Sequence, residues 1–244
     1  QLIEAGAIHI IYDFDHFRKD WMVGYESIDS PPMLIGDDTK QIPYVSNHWH
    51  VVNYFPTNSP HHDEWSKSIL EFKDGNYSLV KKWAQLASET FCKTPKFNFI
   101  VRVLSSNETS TDTIHPLDEV CQKIGQITGA EYYPCWIKKK RKVRQLKYLR
   151  KQEREIEVRD NYYFEWPEWL DDKDAKFTFL IVDDILTTGL TASTIAKEIK
   201  DYFPHSIIHL FTLGKTSRPE FGGPEDNSHM GGNISLFYNE VKKT

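Results

Sequence analysis

The sequence predicts an α/β domain: three layers, a mostly parallel sheet with helices on both faces, preceded by an N-terminal elaboration. Three observations predict this. Phe179 to Val182 is an unbroken apolar run, as in a strand buried on both faces, and a helix-period stretch follows it closely. From residue 77 onward, helix-like and strand-like stretches alternate, which calls for parallel strands joined by crossover helices. Finally, 244 residues with 39% hydrophobic and 27% charged content suit one large domain. The expected division is an elaboration over residues 1–60, packed on the core, and the α/β domain over 61–244.

The elements follow in chain order. Ala7 to Phe14 reads as a strand ending in Asp13 and Asp15, taken as solvated strand-end carboxylates rather than a magnesium site. Residues 18–47 are rich in Pro, Gly, Asp and Ser and read as loop. Asn47 to Phe55 reads as a short strand with His48 and His50 on one face. With His61 and His62 these form a candidate metal group, though plain polar surface fits them better. Glu64 to Phe72 and Tyr77 to Phe91 read as helices. In the second, Leu79, Val80, Trp83, Leu86 and Ala87 make an apolar stripe. Lys96 to Leu104 is a β-branched and aromatic strand, running into the polar loop Ser105 to Thr111. Pro116 opens a helix that Gly129 closes, and Ala130 to Ile137 reads as the next strand. Ala192 to Phe203 is helical, Ser206 to Leu213 is the last core strand, and Ile234 to Val241 reads as an edge strand.

The stretch with the clearest chemistry is Phe179 to Thr191: a strand, two carboxylates, a Thr/Gly turn, then a helix. Backbone N–H groups at a helix start lack intrahelical partners and sit at the positive end of the dipole, so they favour a phosphate. Thr187, Thr188 and Thr191 add hydroxyls, and Gly189 permits a positive φ. Asp183 and Asp184 lie at the carboxyl end of a strand, where open α/β sheets bind ligands. Carboxylates accept hydrogen bonds from sugar hydroxyls. A ribose 5-phosphate satisfies both halves. The Gly-x-x-x-x-Gly-Lys-Ser/Thr pattern of a P-loop is absent.

This stretch, LIVDDILTTGLT, resembles the phosphoribosyl-pyrophosphate (PRPP) signature of type I phosphoribosyltransferases. The resemblance implies that Asp183 and Asp184 bind the ribose hydroxyls and that Thr187, Thr188, Gly189, Leu190 and Thr191 wrap the 5′-phosphate. It implies a pyrophosphate loop after the first core strand, here Leu104, Ser105, Ser106 and Asn107. It implies Mg²⁺ brought with PRPP, held mostly by the ligand's oxygens, with Asp183 and Asp184 as further contacts. Between the second and third core strands the family carries a mobile basic flap, placing Arg144 and Arg154 as flap candidates. Lys215 and Arg218, after the last core strand, border the expected acceptor pocket. The ComF-like branch is the nearest in pattern: Phe72-Lys73-Asp74-Gly75, Gln145, Leu149, Arg154 and Tyr162 or Phe164 echo it. The chain departs from that branch in lacking N-terminal zinc-binding cysteines and in carrying Glu157 where an Asn is usual.

Charge is unevenly spread. Residues 138–154 hold ten Lys or Arg and one Glu, a local +9 on a chain whose total is −5, which leaves −14 elsewhere. Cations there suit a flap over an anionic ligand, and equally a nucleic-acid backbone contacted from Lys138 to Arg154. The expected ligands are therefore PRPP or a nucleoside monophosphate. Nucleic acid is a possible partner, and a homo-oligomer or larger complex a possible setting. The alternative to an enzyme is a non-catalytic nucleotide-sensing or nucleic-acid-associated accessory protein, in DNA uptake, processing or defence, that keeps the same pocket. No apolar run reaches the length of a membrane span, and the first residues lack the basic start of a signal peptide. Cys92, Cys121 and Cys135 are scattered, which argues against a disulfide framework and for a reducing cytoplasm.

Overall fold

A computed structural model describes residues 42–91, 96–142, 151–158 and 161–233. Its elements run β1 (Asn47–Tyr54), α1 (Glu64–Lys73), α2 (Tyr77–Thr90), β2 (Phe99–Arg102), α3 (Pro116–Thr128), β3 (Glu131–Tyr132) and β4 (Ile137–Lys139). Then come α4 (Lys151–Val158), β5 (Tyr162–Phe164), β6 (Thr178–Leu186), α5 (Leu190–Tyr202) and β7 (Ile207–Thr216). Five strands form one sheet in the order β1-β7-β6-β2-β3, and every pairing in it is parallel. β4 and β5 form a separate antiparallel ribbon.

The strands are apolar on both sides because both faces are covered. On β6, Leu180 and Val182 point to one layer with Ile69, Phe72, Trp83 and Ile124 of α1, α2 and α3. Phe179 and Ile181 point to the other, with Ile195, Ala196 and Ile199 of α5 and Trp136, Ile137 and Tyr162 of the ribbon region. This is the expected three-layer α/β architecture. Local sequence fixes the helix ends. Asp63 accepts from the Ser66 N–H at 2.8 Å and starts α1. His115 and Asp118 form a reciprocal cap at the start of α3, and Gly129 closes it at φ +76°.

Three details depart from the expectation. Ala130 to Ile137 is not one strand. Pro134 has no N–H to offer a ladder, so the chain leaves the sheet after two residues, makes a 3₁₀ turn and re-enters as β4 of the ribbon. Asp183 and Asp184 lie inside β6 rather than after it, because Ile185 and Leu186 continue the register with Gly214 and Lys215. The last core strand likewise runs on to Thr216. The short strand expected from Asn47 is present as the edge strand beside β7, in register from Asn47 opposite His209 to Tyr54 opposite Thr216. The strand expected at 7–14, Asp13 and Asp15, the flap candidate Arg144 and the edge strand expected at 234–241 lie outside the described residues. Among the described residues no helix is long and apolar enough to cross a membrane.

Candidate active site

The carboxyl ends of the parallel strands meet on one edge, and the candidate site residues gather there. Asp184, 8% exposed, accepts the Ile185 N–H on Oδ1 at 2.7 Å. Asp183 accepts the Asp184 N–H on Oδ1 at 2.8 Å. Burial, with the Asp184 carboxylate beside it, holds the Asp183 carboxyl well above the usual carboxylate range, while Lys73 and Lys139 pull the other way. The turn beyond is open: Thr187 and Thr188 are exposed. Gly189 is the N-cap of α5 at φ +77°, so Leu190 and Thr191 stand in the first turn of the helix with N–H groups free of intrahelical partners. Gly189 itself has no side chain to cap this end, and Thr188 Oγ1 accepts the Leu190 N–H at 3.5 Å. A Cβ on Gly189 would lie 3.0 Å from Ile42, so space as well as backbone conformation selects glycine.

The loop after β2 is braced from beneath. Arg102 is fully buried. Its guanidinium donates to both Glu108 oxygens at 2.9 and 2.8 Å and to Asp118 at 2.6 Å. Burial disfavours that charge, but the hydrogen bonds and charges of Glu108 and Asp118 more than offset it, and the net direction is up. Tyr132 donates to the same Asp118 carboxylate, and burial pushes its hydroxyl far up. Glu108 also accepts the Ser105 N–H at 2.7 Å. Lys139, 3% exposed at the end of β4, donates to the carbonyls of Leu104 at 2.9 Å and Ser105 at 2.6 Å. Burial lowers its ammonium to about 8. Two carbonyls are thus turned toward Lys139 and the Ser105 N–H toward Glu108. Ser106 and Asn107 are left at the surface of the loop.

Two further groups border the pair. Lys73, the last residue of α1, reaches Asp184 Oδ2 at 2.8 Å. Burial works to lower its ammonium, and the Asp184 carboxylate more than compensates. The Tyr54 hydroxyl, at the end of β1, is raised by burial, with Lys73 and Asp184 both near enough to act on it. Beyond β1 and β7, the loops at 56–61 and 217–225 enclose a cleft of about 650 Å³, lined by Asn58, His61, Arg218 and Glu220 among others. Lys215 leads into that edge, and burial lowers its ammonium.

These donors decide whether the protein itself could hold Mg²⁺. Such an ion needs a nearly octahedral shell of oxygens. Asp184 has both oxygens engaged, one by Ile185 and one by Lys73, and Asp183 has one engaged by Asp184. The acidic pair thus leaves one oxygen, on Asp183, unengaged by the protein, so most of an ion's shell would come from a ligand and water. Among the described residues no cluster of three or more His, Cys, Asp or Glu is arranged to hold a metal. The histidines are accounted for otherwise. His48 and His50 stack at 5.4 Å in the β1–β7 seam, where His48 meets Thr212 at 3.2 Å. His62 hydrogen-bonds the Phe55 carbonyl at 2.7 Å, and His61 lies against Phe55.

Sequence reasoning passed over Lys73, Arg102, Glu108, Asp118 and Lys139 as site residues. Arg102 carried a signal: a lone cation inside a strand apolar on both faces must have a buried partner. Arg154 lies on α4, and Arg144 is outside the described residues. Within the basic run, Arg141 pairs with Glu157 at 2.6 Å, which gives that departure from the ComF-like pattern a local partner.

No family model matches the chain, and no curated protein matches it. Among solved structures it is similar to a hypoxanthine phosphoribosyltransferase from Staphylococcus aureus, at 14% identity and a TM-score of 0.31, covering 65% of this chain and 66% of that one. It is also similar to the allosteric regulatory enzyme of purine biosynthesis, at 12% identity and a TM-score of 0.37, covering 72% of this chain and 37% of that one. The chain thus spans just under two thirds of the first structure and little more than a third of the second. Its fold class rests on its own sheet, five parallel strands between two helical layers, and that sheet makes it an α/β protein.

Proposed function

We propose that the chain is a phosphoribosyltransferase-like protein that binds PRPP, or a related ribose 5-phosphate such as a nucleoside monophosphate, at the carboxyl edge of β6. One observation carries the reading. A largely buried acidic pair and a glycine-opened helix start stand on the same strand–turn–helix, as a diol and a 5′-phosphate on one ribose require. Thr187, Thr188, Gly189, Leu190 and Thr191 take the phosphate, and the acidic pair takes the ribose hydroxyls. The loop of Leu104, Ser105, Ser106 and Asn107, braced by Arg102 and Lys139, faces the pyrophosphate. The acceptor enters from the β7 side, near Lys215 and Arg218.

In transfer, the bond from C1 to pyrophosphate oxygen breaks and its electron pair leaves with pyrophosphate. A bond forms from C1 to the acceptor nitrogen, whose proton goes to the departing pyrophosphate or to water. The protein's part is to position both reactants, shield a cation-like C1 from water and meet the developing charge on pyrophosphate. Mg²⁺, where present, travels on the ligand's own oxygens.

Calorimetric titration of PRPP into the parent and into Asp183→Ala/Asp184→Ala tests this. The parent gives a binding heat that the double variant loses. A parent that shows neither heat nor thermal stabilisation with PRPP, ribose 5-phosphate or a nucleoside monophosphate removes the reading. Binding without pyrophosphate release, with any common base as acceptor, favours the second reading: a sensor or accessory protein that keeps the pocket. The basic run at 138–154 supports that alternative.

A further inference from the structure

The acidic pair already has a cation. Asp184 Oδ2 lies 2.8 Å from Lys73 Nζ, and Asp184 Oδ1 accepts the Ile185 N–H. Asp183 Oδ1 accepts the Asp184 N–H, and among the described residues no donor reaches its second oxygen. The two neighbouring carboxylates therefore differ. One has both oxygens engaged by this chain, and the other keeps an unengaged oxygen for a ligand. The end of the helix fixes the Lys73 backbone: the Asp74 N–H bonds back to the Leu70 carbonyl at 3.0 Å, the Gly75 N–H to the Phe72 carbonyl at 2.9 Å, and Gly75 turns the chain at φ +82°. The Lys73 side chain is 45% exposed, so the ammonium fronts the edge where a ligand enters.

We propose that Lys73 is the resident counter-ion of the acidic pair: it neutralises Asp184, leaves Asp183 as the acceptor for the sugar diol, and makes ribose phosphate binding independent of divalent metal. The inference rests on the ribose phosphate reading and deepens it. Two adjacent carboxylates repel an incoming phosphate unless a positive charge stands with them. A divalent ion is the usual remedy, and an ammonium held in the pair is another. The exchange also splits the roles. Asp183 is the binding carboxylate, and Asp184 acts through Lys73 as a positioning residue.

Ribose 5-phosphate is the probe, because it lacks the pyrophosphate that chelates metal by itself. It is titrated calorimetrically into the full chain in EDTA and again in excess MgCl₂, for the parent, Lys73→Met and Lys73→Arg. Folding of each variant is checked by its thermal transition. The parent binds with dissociation constants that agree between the two buffers. Lys73→Met weakens binding in EDTA by about tenfold or more, and MgCl₂ restores it. Lys73→Arg, which keeps the charge, binds in EDTA as the parent does. A parent that needs MgCl₂ overturns the counter-ion role while leaving the ribose phosphate site in place. So does a Lys73→Met that binds normally in EDTA, or one that MgCl₂ fails to rescue. No binding by the parent in either buffer overturns both readings.

Discussion

Arg102 shows how one residue fixes the shape of a loop. A guanidinium with no exposed surface is tolerated only where its hydrogen bonds are filled, and Glu108 and Asp118 fill them from opposite sides. Glu108 sits beyond the loop it closes and also holds the Ser105 N–H, so the loop is drawn tight around a charge beneath it. Lys139 does the complementary job on the carbonyls. Arg102→Met keeps much of the volume but leaves two carboxylates without their cation. Breaking a buried pair on one side costs about 3–5 kcal/mol. Urea unfolding is expected to register a loss of that size. Double substitution, Arg102→Met with Glu108→Gln, is expected to recover part of it, because one orphaned charge is gone. A loss no greater than that of an exposed Lys→Met change would refute the bracing role.

At the scale of elements, the β1–β7 seam places histidines where charge is unwelcome. His48, 8% exposed and stacked on His50, is lowered by burial and by that neighbour to about 3. His209, across the seam on β7, is lowered by burial too. The sign follows from proton counts. Between about pH 6.5 and 3 the unfolded chain binds a proton at His48 that the folded chain refuses, so stability falls as pH falls through this window. The slope approaches about 1.4 kcal/mol per pH unit for such a group. Urea midpoints measured at neutral pH and at pH 5 should converge on replacing His48 with Gln; an unchanged difference would show that the seam is not acid-sensitive through this residue. The same elements show what a linear sequence can disclose. The β6–turn–α5 unit was legible because its signals are local: an apolar run, a Thr/Gly turn and a helical period. Helix α3 was legible from Pro116 and Gly129 for the same reason. The ribbon was not, since an apolar stretch through Ala130 to Ile137 reads as one strand until Pro134 is given its full weight. The pairing of Lys73 with Asp184 was hidden because nothing local links them. It follows from sheet order, which brings the end of α1 to the end of β6.

Across the whole molecule, an acidic body carries one basic stretch, and among its described residues, 138–142, the fold makes two kinds of cation. Lys139 is buried on the Leu104 and Ser105 carbonyls, and Arg141 is paired with Glu157, so both are part of the architecture. Lys140 and Lys142 are exposed, and Lys138 is partly so, with Glu165 at 3.8 Å. Among the described cations of the run, a polyanion would therefore meet Lys138, Lys140 and Lys142 rather than Lys139 and Arg141. This separates nucleic-acid contact from ligand binding in one experiment. Single-stranded DNA binding is measured over a range of salt for the parent and for Lys138→Gln/Lys140→Gln/Lys142→Gln, with ribose 5-phosphate affinity measured alongside. Each phosphate contact on a single strand contributes about 0.7 to the slope of log K against log salt. Loss of three contacts is thus expected to flatten the slope by about 2, with ribose 5-phosphate binding unchanged because none of the three touches the acidic pair or the phosphate turn. A parent that shows no salt-dependent affinity for single strands would remove nucleic acid from the partners proposed for this face. A triple variant that instead loses ribose 5-phosphate would assign these lysines to the pocket, as flap cations closing over the same ligand.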